Sequence, residues 1–181
     1  MRIREPALED TASLARIQVD TWRTTYHGIV PSDYLAGMMY TDAESRWRER
    51  FTHRMSDNWH ALVAELDTQV IGFVVGGPER VQDPEYSGEI YAIYVLPEYQ
   101  GRGVGKRLFL ESISKLKSNG LHPVMAWVLE ENPNRGFYET LGGELVRRRK
   151  VEIGGALLSE VGYGWNAIQH PISQAAREES A

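Results

Sequence analysis

Three glycines at alternate positions separate a strand-like run from a helix-like run, and they constrain this chain more than any other feature. They are Gly101, Gly103 and Gly105, in the stretch VLPEYQGRGVGK at residues 95–106. Glycine adopts positive φ and lets a ligand approach the backbone, and a helix beginning near Val104 points its first unpaired N–H groups at the same place. Arg102 and Lys106 add positive charge. The segment therefore predicts a loop that holds an anion, with a pyrophosphate as its natural guest.

Two common phosphate-binding loops do not fit this spacing. A Walker A loop needs a glycine five residues before its Gly-Lys pair and a Ser or Thr after it, but Gln100 and Arg107 stand at those places. A dinucleotide-binding Gly-x-Gly-x-x-Gly fingerprint would need its third glycine at Lys106 or Leu108. What remains is a pattern that fixes a proline, a glutamine and three glycines together. The alternative, a glycine-rich turn that only lets a strand meet a helix, stays open.

Length and charge predict a single domain. The chain has 181 residues, of which 42% are hydrophobic, so we expect one domain over residues 1–166 and a polar tail over 167–181. The net charge of −5 and the pI of about 5.6 argue against a nucleic-acid partner, and the basic run at 147–150 is expected on an exposed or edge strand.

No apolar stretch is long enough to span a membrane, and residues 1–5 do not resemble a signal peptide. We therefore expect no membrane partner and a cytoplasmic location.

The inventory of nucleophiles and metal ligands is small. The chain has no cysteine, which excludes disulfides, thiolate metal sites and a cysteine acyl-enzyme. It also has no Gly-x-Ser-x-Gly elbow and no His-Glu-x-x-His pair. Its five histidines are scattered without metal-ligand spacing, so we expect them on the surface or in loops. No metal site is predicted.

Periodicity predicts strands alternating with helices in a mixed α/β sheet. Glu9, Asp10 and Thr11 are residue types that favour the start of a helix. The glycine pairs at 142–143 and 154–155 indicate the end of a helix and a hairpin turn. Residues 77–88 hold two prolines and are expected to form a loop. We expect strands at 1–6, 61–66, 70–76, 89–96, 123–129, 144–153 and 156–165, and helices from 11, over 43–54, from 104 to about 120 and over 133–141.

The pattern Val-x-Pro-x-x-Gln-Gly-x-Gly-x-Gly resembles the acetyl-CoA loop of the GNAT superfamily of acetyltransferases. Two other segments support the resemblance, which covers roughly residues 1–165. Residues 132–143 (NPNRGFYETLGG) are similar to the family's Asn…Phe-Tyr-Glu-x-x-Gly segment, although the spacing from Asn132 to Tyr138 is one residue shorter than the commonest form. Residues 22–31 (WRTTYHGIVP) are similar to a stretch found in many bacterial members. The resemblance implies the GNAT fold, a central mixed sheet flanked by helices.

The resemblance also implies an activity, the transfer of an acetyl group from acetyl-CoA to an amine. Backbone N–H groups near Tyr94 and Val95 would bind the acetyl carbonyl and the pantetheine arm, and Asn132 would lie on the cofactor side. Tyr138 would contact the cofactor near its sulfur and act as general acid, because a phenol is a neutral donor at pH 7; a packed core tyrosine is the alternative. The pyrophosphate would be held by Gln100, Gly101, Arg102, Gly103, Val104, Gly105 and Lys106. Direct attack on the bound thioester is the route that the nucleophile inventory leaves.

The sequence identifies the acceptor-binding residues less specifically than the cofactor-binding ones. Glu89, at the start of the central strand, is predicted to bind the acceptor and to take its proton through water, and a solvated strand-end charge is the alternative. Trp22 and Tyr26 are predicted to form an acceptor wall, although aromatic residues at i and i+4 also pack within plain helices. Polyamines, amino acids, aminoglycosides and protein N-termini remain open as acceptors. A catalytically inactive acyl-CoA-binding module, a donor with a larger acyl group and a homodimer also remain open.

Overall fold

The computed structural model describes residues 1–52 and 58–166. The described residues form five helices and seven strands, with two short 3₁₀ turns at Leu8–Asp10 and Pro97–Tyr99. The helices are α1 (Thr11–Thr25), α2 (Ser32–Gly37), α3 (Tyr40–Thr52), α4 (Val104–Ser118) and α5 (Gly136–Thr140). The strands are β1 (Arg2–Arg4), β2 (His60–Leu66), β3 (Gln69–Pro78), β4 (Gly88–Val95), β5 (Val124–Leu129), β6 (Glu144–Ile153) and β7 (Ala156–Trp165).

The seven strands form one sheet in the order β1-β2-β3-β4-β5-β7-β6. All neighbours are antiparallel except β4 and β5, which run parallel. Their pairing covers only three residue pairs and ends at Ile90 and Ala126. Beyond that point the rest of β4, through Val95, has no partner on its β5 side. The sheet therefore opens in its middle, directly before the glycine-rich loop.

Helices cover both faces of the sheet. Alternate side chains of β3 enter two different hydrophobic clusters, as expected for a strand buried on both faces. On one face α4 contributes Leu108, Phe109, Ile113 and Leu116. On the other face α1 and α3 contribute Leu14, Ile17 and Trp47. Residues 1–52 and 58–166 are thus organised around one central sheet. The opening between β4 and β5 lies between these two helical layers.

Most of the predicted elements are confirmed. The hairpins over 61–76 and 144–165 form as expected, and the basic run at 147–150 lies on β6, an edge strand. Several boundaries were wrong: the helix predicted over 133–141 begins only at Gly136, α3 begins at Tyr40 and not at 43, β1 covers only Arg2–Arg4, and β3 continues through Pro78 into the predicted loop. Helix α2 was not predicted, because its six residues are too short to show a helical period. The predicted helix end at 53–54 and the predicted tail at 167–181 lie outside the described residues.

One histidine is not where the sequence placed it. His60 is the first residue of β2 and is only 4% exposed. Its Nε2 lies 2.7 Å from Oγ of Ser112 on α4, while its Nδ1 has no partner among the described residues. Burial lowers the pKa of His60 to about 4. The imidazole is therefore neutral at pH 7 and ties the helix that follows the glycine loop to the sheet.

Candidate active site

The glycine-rich loop is fixed to the end of β4. Gly101 and Gly103 have φ of +71° and +79°, a region that side chains rarely adopt, and Gly103 is the N-cap of α4. The Gln100 side chain donates from Nε2 to the carbonyl oxygen of Val95 at 2.9 Å. This hydrogen bond explains the glutamine of the pattern, because it folds the loop back against the open strand end.

The backbone of this loop is free to bind an anion. Among the described residues, no acceptor meets the amide N–H groups of Val104, Gly105 or Lys106, the first turn of α4. A Cβ placed on Gly101 or Gly103 would find no atom within 4 Å. Free N–H groups, open space and the positive end of a fifteen-residue helix together suit a phosphate group.

A cleft of about 660 Å³ runs from this loop into the opening of the sheet. The loop contributes Gln100, Gly101, Gly103, Gly105 and Lys106, the open strand β4 contributes residues 91–95, and β5 contributes Trp127 and Val128. Helix α1 forms a further part of the wall with Thr21 and Thr25, and Tyr26 follows directly after the helix. The segment from Asn132 to α5 adds Asn132, Pro133, Asn134, Gly136, Phe137 and Tyr138, with Thr140 and Leu141 after them.

Among the tyrosines of the cleft, Tyr138 is the candidate proton donor. Its ring stacks on Tyr163, with centroids 5.7 Å apart and planes at 14°. Tyr138 lines the cleft, and its hydroxyl makes no hydrogen bond with any described residue. Burial raises the pKa of Tyr138 well above its ordinary value. The side chain is therefore a protonated donor with nothing bound to it.

The α1 side of the cleft is held by two hydrogen bonds across the site. Trp22 Nε1 donates to the hydroxyl of Tyr94 at 2.8 Å, and Asn132 Nδ2 donates to the hydroxyl of Tyr26 at 3.3 Å. The rings of Trp22 and Tyr26 meet edge to face at 4.9 Å. Tyr26, Tyr94 and Asn132 line the cleft, whereas Trp22 supports Tyr94 from behind.

Three further predicted residues are not brought into the cleft lining. Val104 is buried in the core, and the Arg102 guanidinium lies 5.8 Å from the ring centroid of Tyr99. Glu89 is only 1% exposed, and its carboxylate is held by Arg80, whose Nε and backbone N each lie 3.1 Å from Oε2. The Arg80 Nη2 group contacts the other carboxylate oxygen. Glu89 is thus neither a solvated strand-end charge nor exposed to the cleft, and its role as general base stays a prediction.

Sequence reasoning missed several lining residues. Tyr91 and Trp127 stand directly after the last paired residues of β4 and β5, and Thr21 and Thr25 share one face of α1. Alternation along β4 and β5 placed these strands, but nothing in it shows where two parallel strands separate. Among residues 1–52 and 58–166, no group of three or more His, Cys, Asp or Glu side chains is arranged to hold a metal ion. No helix in the same two ranges is long and apolar enough to cross a membrane.

Comparison with known proteins decides the family. Residues 18–142 match the model of the Acetyltransferase (GNAT) family. The chain belongs to the GNAT family. It is 39% identical, over 90% of its own length and 91% of the relative's, to YuaI of Bacillus subtilis, an N-acetyltransferase described as uncharacterized. It is 25% identical, over 84% of its length and 98% of the relative's, to spermidine N(1)-acetyltransferase of Thermoplasma acidophilum.

Solved structures share the GNAT fold with this chain. The PaiA N-acetyltransferase of Thermoplasma acidophilum, in complex with coenzyme A, matches with a TM-score of 0.68 at 23% identity, over 88% of this chain and 96% of the other. The yncA protein of Salmonella typhimurium, with its cofactor acetyl-CoA, matches with a TM-score of 0.68 at 22% identity, over 97% of this chain and 98% of the other. The predicted family and fold, a mixed sheet flanked by helices, are therefore confirmed.

Proposed function

We propose that this GNAT protein transfers the acetyl group of acetyl-CoA directly to an amine, with Tyr138 as the general acid. The observation that carries the proposal is that one cleft is lined both by the glycine loop, whose first helical amides are free, and by Tyr138, whose hydroxyl has no partner among the described residues. The cleft therefore offers an anion site at one end and a proton donor farther along. That is what a phosphorylated thioester donor requires.

The donor fits the residues that are present. The N–H groups of Val104, Gly105 and Lys106 would hold its pyrophosphate, and Gly101 and Gly103 leave the space for it. The unpaired β5-facing edge of β4 at Tyr94 and Val95 would hydrogen-bond the arm of the donor. Acetyl-CoA would supply an activated acyl group whose leaving group is a thiolate. Arg102, whose guanidinium lies near the Tyr99 ring, adds positive charge to the approach.

Tyr138 is suited to protonate that thiolate. A phenol with a raised pKa stays protonated through the neutral range, so it enters each turnover with its proton in place. The stacked Tyr163 ring holds it against the cleft. The chain contains no cysteine, so the acyl group would pass to the amine in one step without a cysteine-bound intermediate.

Several finer predictions are carried forward as proposals. Residues 1–166 would form the catalytic domain by themselves, Trp22 and Tyr26 would contribute to acceptor binding, and Asn132 would contact the donor. A homodimer, the absence of nucleic-acid and membrane partners, and a cytoplasmic location stay predictions. Sedimentation of the purified protein would test the dimer, for which the edge strand β6 offers a surface.

The glycine loop provides a test with an internal control. Gly103 and Gly120 stand at opposite ends of α4, both at left-handed φ (+79° and +74°), and a Cβ on either would meet no atom within 4 Å. Alanine at either place should therefore cost similar stability. Only Gly103→Ala should weaken CoA binding, by at least about tenfold, because its Cβ enters the space proposed for phosphate. Calorimetric titration with CoA that gives equal affinities for Gly103→Ala and Gly120→Ala would contradict the phosphate assignment.

A further inference from the structure

The part of the cleft away from the glycine loop contains no ordinary general base. Its lining among the described residues includes neither a carboxylate nor an imidazole, and its single basic residue, Lys106, belongs to the loop. The other titratable groups that face the space are the phenols Tyr26, Tyr91, Tyr94 and Tyr138. Burial raises the pKa of each of these phenols, so all four are protonated at neutral pH and none is able to accept a proton.

Two arginine–carboxylate pairs lie against aromatic residues of this lining. The Arg80 guanidinium lies 4.4 Å from the ring centroid of Tyr91 and is paired with Glu89. The Arg149 guanidinium lies 4.0 Å from the ring centroid of Trp127 and is paired with Glu160 at 2.8 Å. Each carboxylate is thus already neutralised by a guanidinium. The lining of the cleft therefore includes no carboxylate that could pair with a bound ammonium.

We propose that the acceptor of this cleft is a weakly basic primary amine, such as an α-amino group next to a carbonyl, and not a polyamine or a lysine side chain. The proposal rests on the acetyl transfer proposed above and names its acceptor class. Without a base in the cleft, the amine loses its proton to solvent before it binds. At pH 7 an α-amino group with a pKa near 7.8 is roughly 15% neutral, whereas an alkyl ammonium with a pKa near 10.4 is roughly 0.04% neutral.

The bond changes balance without an enzyme base. The neutral nitrogen attacks the thioester carbonyl, the C–N bond forms and the C–S bond breaks. The departing thiolate takes the proton of Tyr138, and the extra proton on the new amide nitrogen leaves through solvent and restores Tyr138. The net products are an N-acetyl amide and the free thiol of CoA.

Two isosteric amines test the proposal. Glycinamide carries an α-amino group beside a carbonyl, and isobutylamine has the same branching and a similar size with a strongly basic nitrogen. Release of CoA thiol is read with a thiol dye at pH 7, and the protein adds no background because it contains no cysteine. The neutral-fraction advantage is roughly 300-fold, and the weaker nucleophilicity of glycinamide offsets part of it. We therefore expect kcat/KM for glycinamide to exceed that for isobutylamine by at least about tenfold, with spermidine no better than isobutylamine.

The pH profile supplies a second readout. For isobutylamine, kcat/KM of the wild type should rise about tenfold per pH unit from pH 6 to 9. Equal kcat/KM for the two amines, preference for spermidine, a plateau well below the pKa of isobutylamine, or selective loss of neutral-pH activity in Glu89→Gln would overturn the acceptor class alone. Absence of acetyl transfer to every amine would instead contradict the proposed function, and the acceptor class with it.

Discussion

Replacing Tyr138 with phenylalanine should lower kcat by roughly 100-fold, the lower end of what a positioned general acid contributes. The change removes only the hydroxyl, which has no hydrogen-bond partner among the described residues, so the folded structure loses little. The ring can keep its stacking on Tyr163. Because acetyl-CoA binding does not depend on that proton, KM for acetyl-CoA should change little. Steady-state kinetics with a verified amine acceptor measures both quantities.

Tyr163→Phe is the matched control. Tyr163 is buried beside Tyr138, and its hydroxyl donates to Glu139 at 2.6 Å without lining the cleft. Loss of that hydrogen bond should cost about 1 to 3 kcal/mol of stability and leave kcat near the wild-type value. If Tyr138→Phe behaves in the same way, with lower thermal stability and near-normal turnover, Tyr138 has a packing role and the general acid is another group.

Acid should destabilise the fold through His60. The pKa of His60 is about 4 in the folded state, against about 6.5 in the unfolded chain. The unfolded state therefore binds the proton more readily, so this contribution to stability is complete above pH 6.5 and is lost as the pH falls towards 4. Between pH 7.5 and pH 5 we expect a loss of about 2 kcal/mol, or roughly 30-fold in the unfolding equilibrium.

Urea unfolding at the two pH values checks this expectation, with His60→Gln as the control because glutamine does not titrate. The difference between the wild type and His60→Gln should shrink by about 2 kcal/mol from pH 7.5 to pH 5. Carboxylates elsewhere in the chain affect both proteins alike and cancel in that comparison. A difference that stays constant between the two pH values would mean that His60 is not buried as the structure shows.

Local sequence signals were sufficient to predict features that are formed by residues close together in the sequence. The three glycines and Gln100 act within one loop, and the hairpin at 154–155 needs only two residues with positive φ. The same holds for α4, whose apolar positions repeat at the helical period. These features predict the anion loop from the chain alone, whereas the prediction of Tyr138 as the acid came from the resemblance to the GNAT family.

Contacts between residues that are far apart in the sequence could not be predicted from local signals. Arg80 meets Glu89 only because residues 79–87 fold back over β4, and the acidic side chain alone gives no sign of that partner. His60 finds Ser112 across 52 residues. The cleft itself exists because β4 and β5 stop pairing after three residues, a property of sheet twist and packing that no strand pattern records.

The kinetic mechanism, sequential or ping-pong, tests the central claim of direct transfer within one cleft most directly. Initial rates are measured over a grid of acetyl-CoA and amine concentrations. The mass of the intact protein is measured by mass spectrometry after incubation with acetyl-CoA alone. Direct transfer predicts intersecting double-reciprocal lines and no acetylated protein that passes its group to the amine. Parallel lines together with an acetylated, transfer-competent protein would contradict the account.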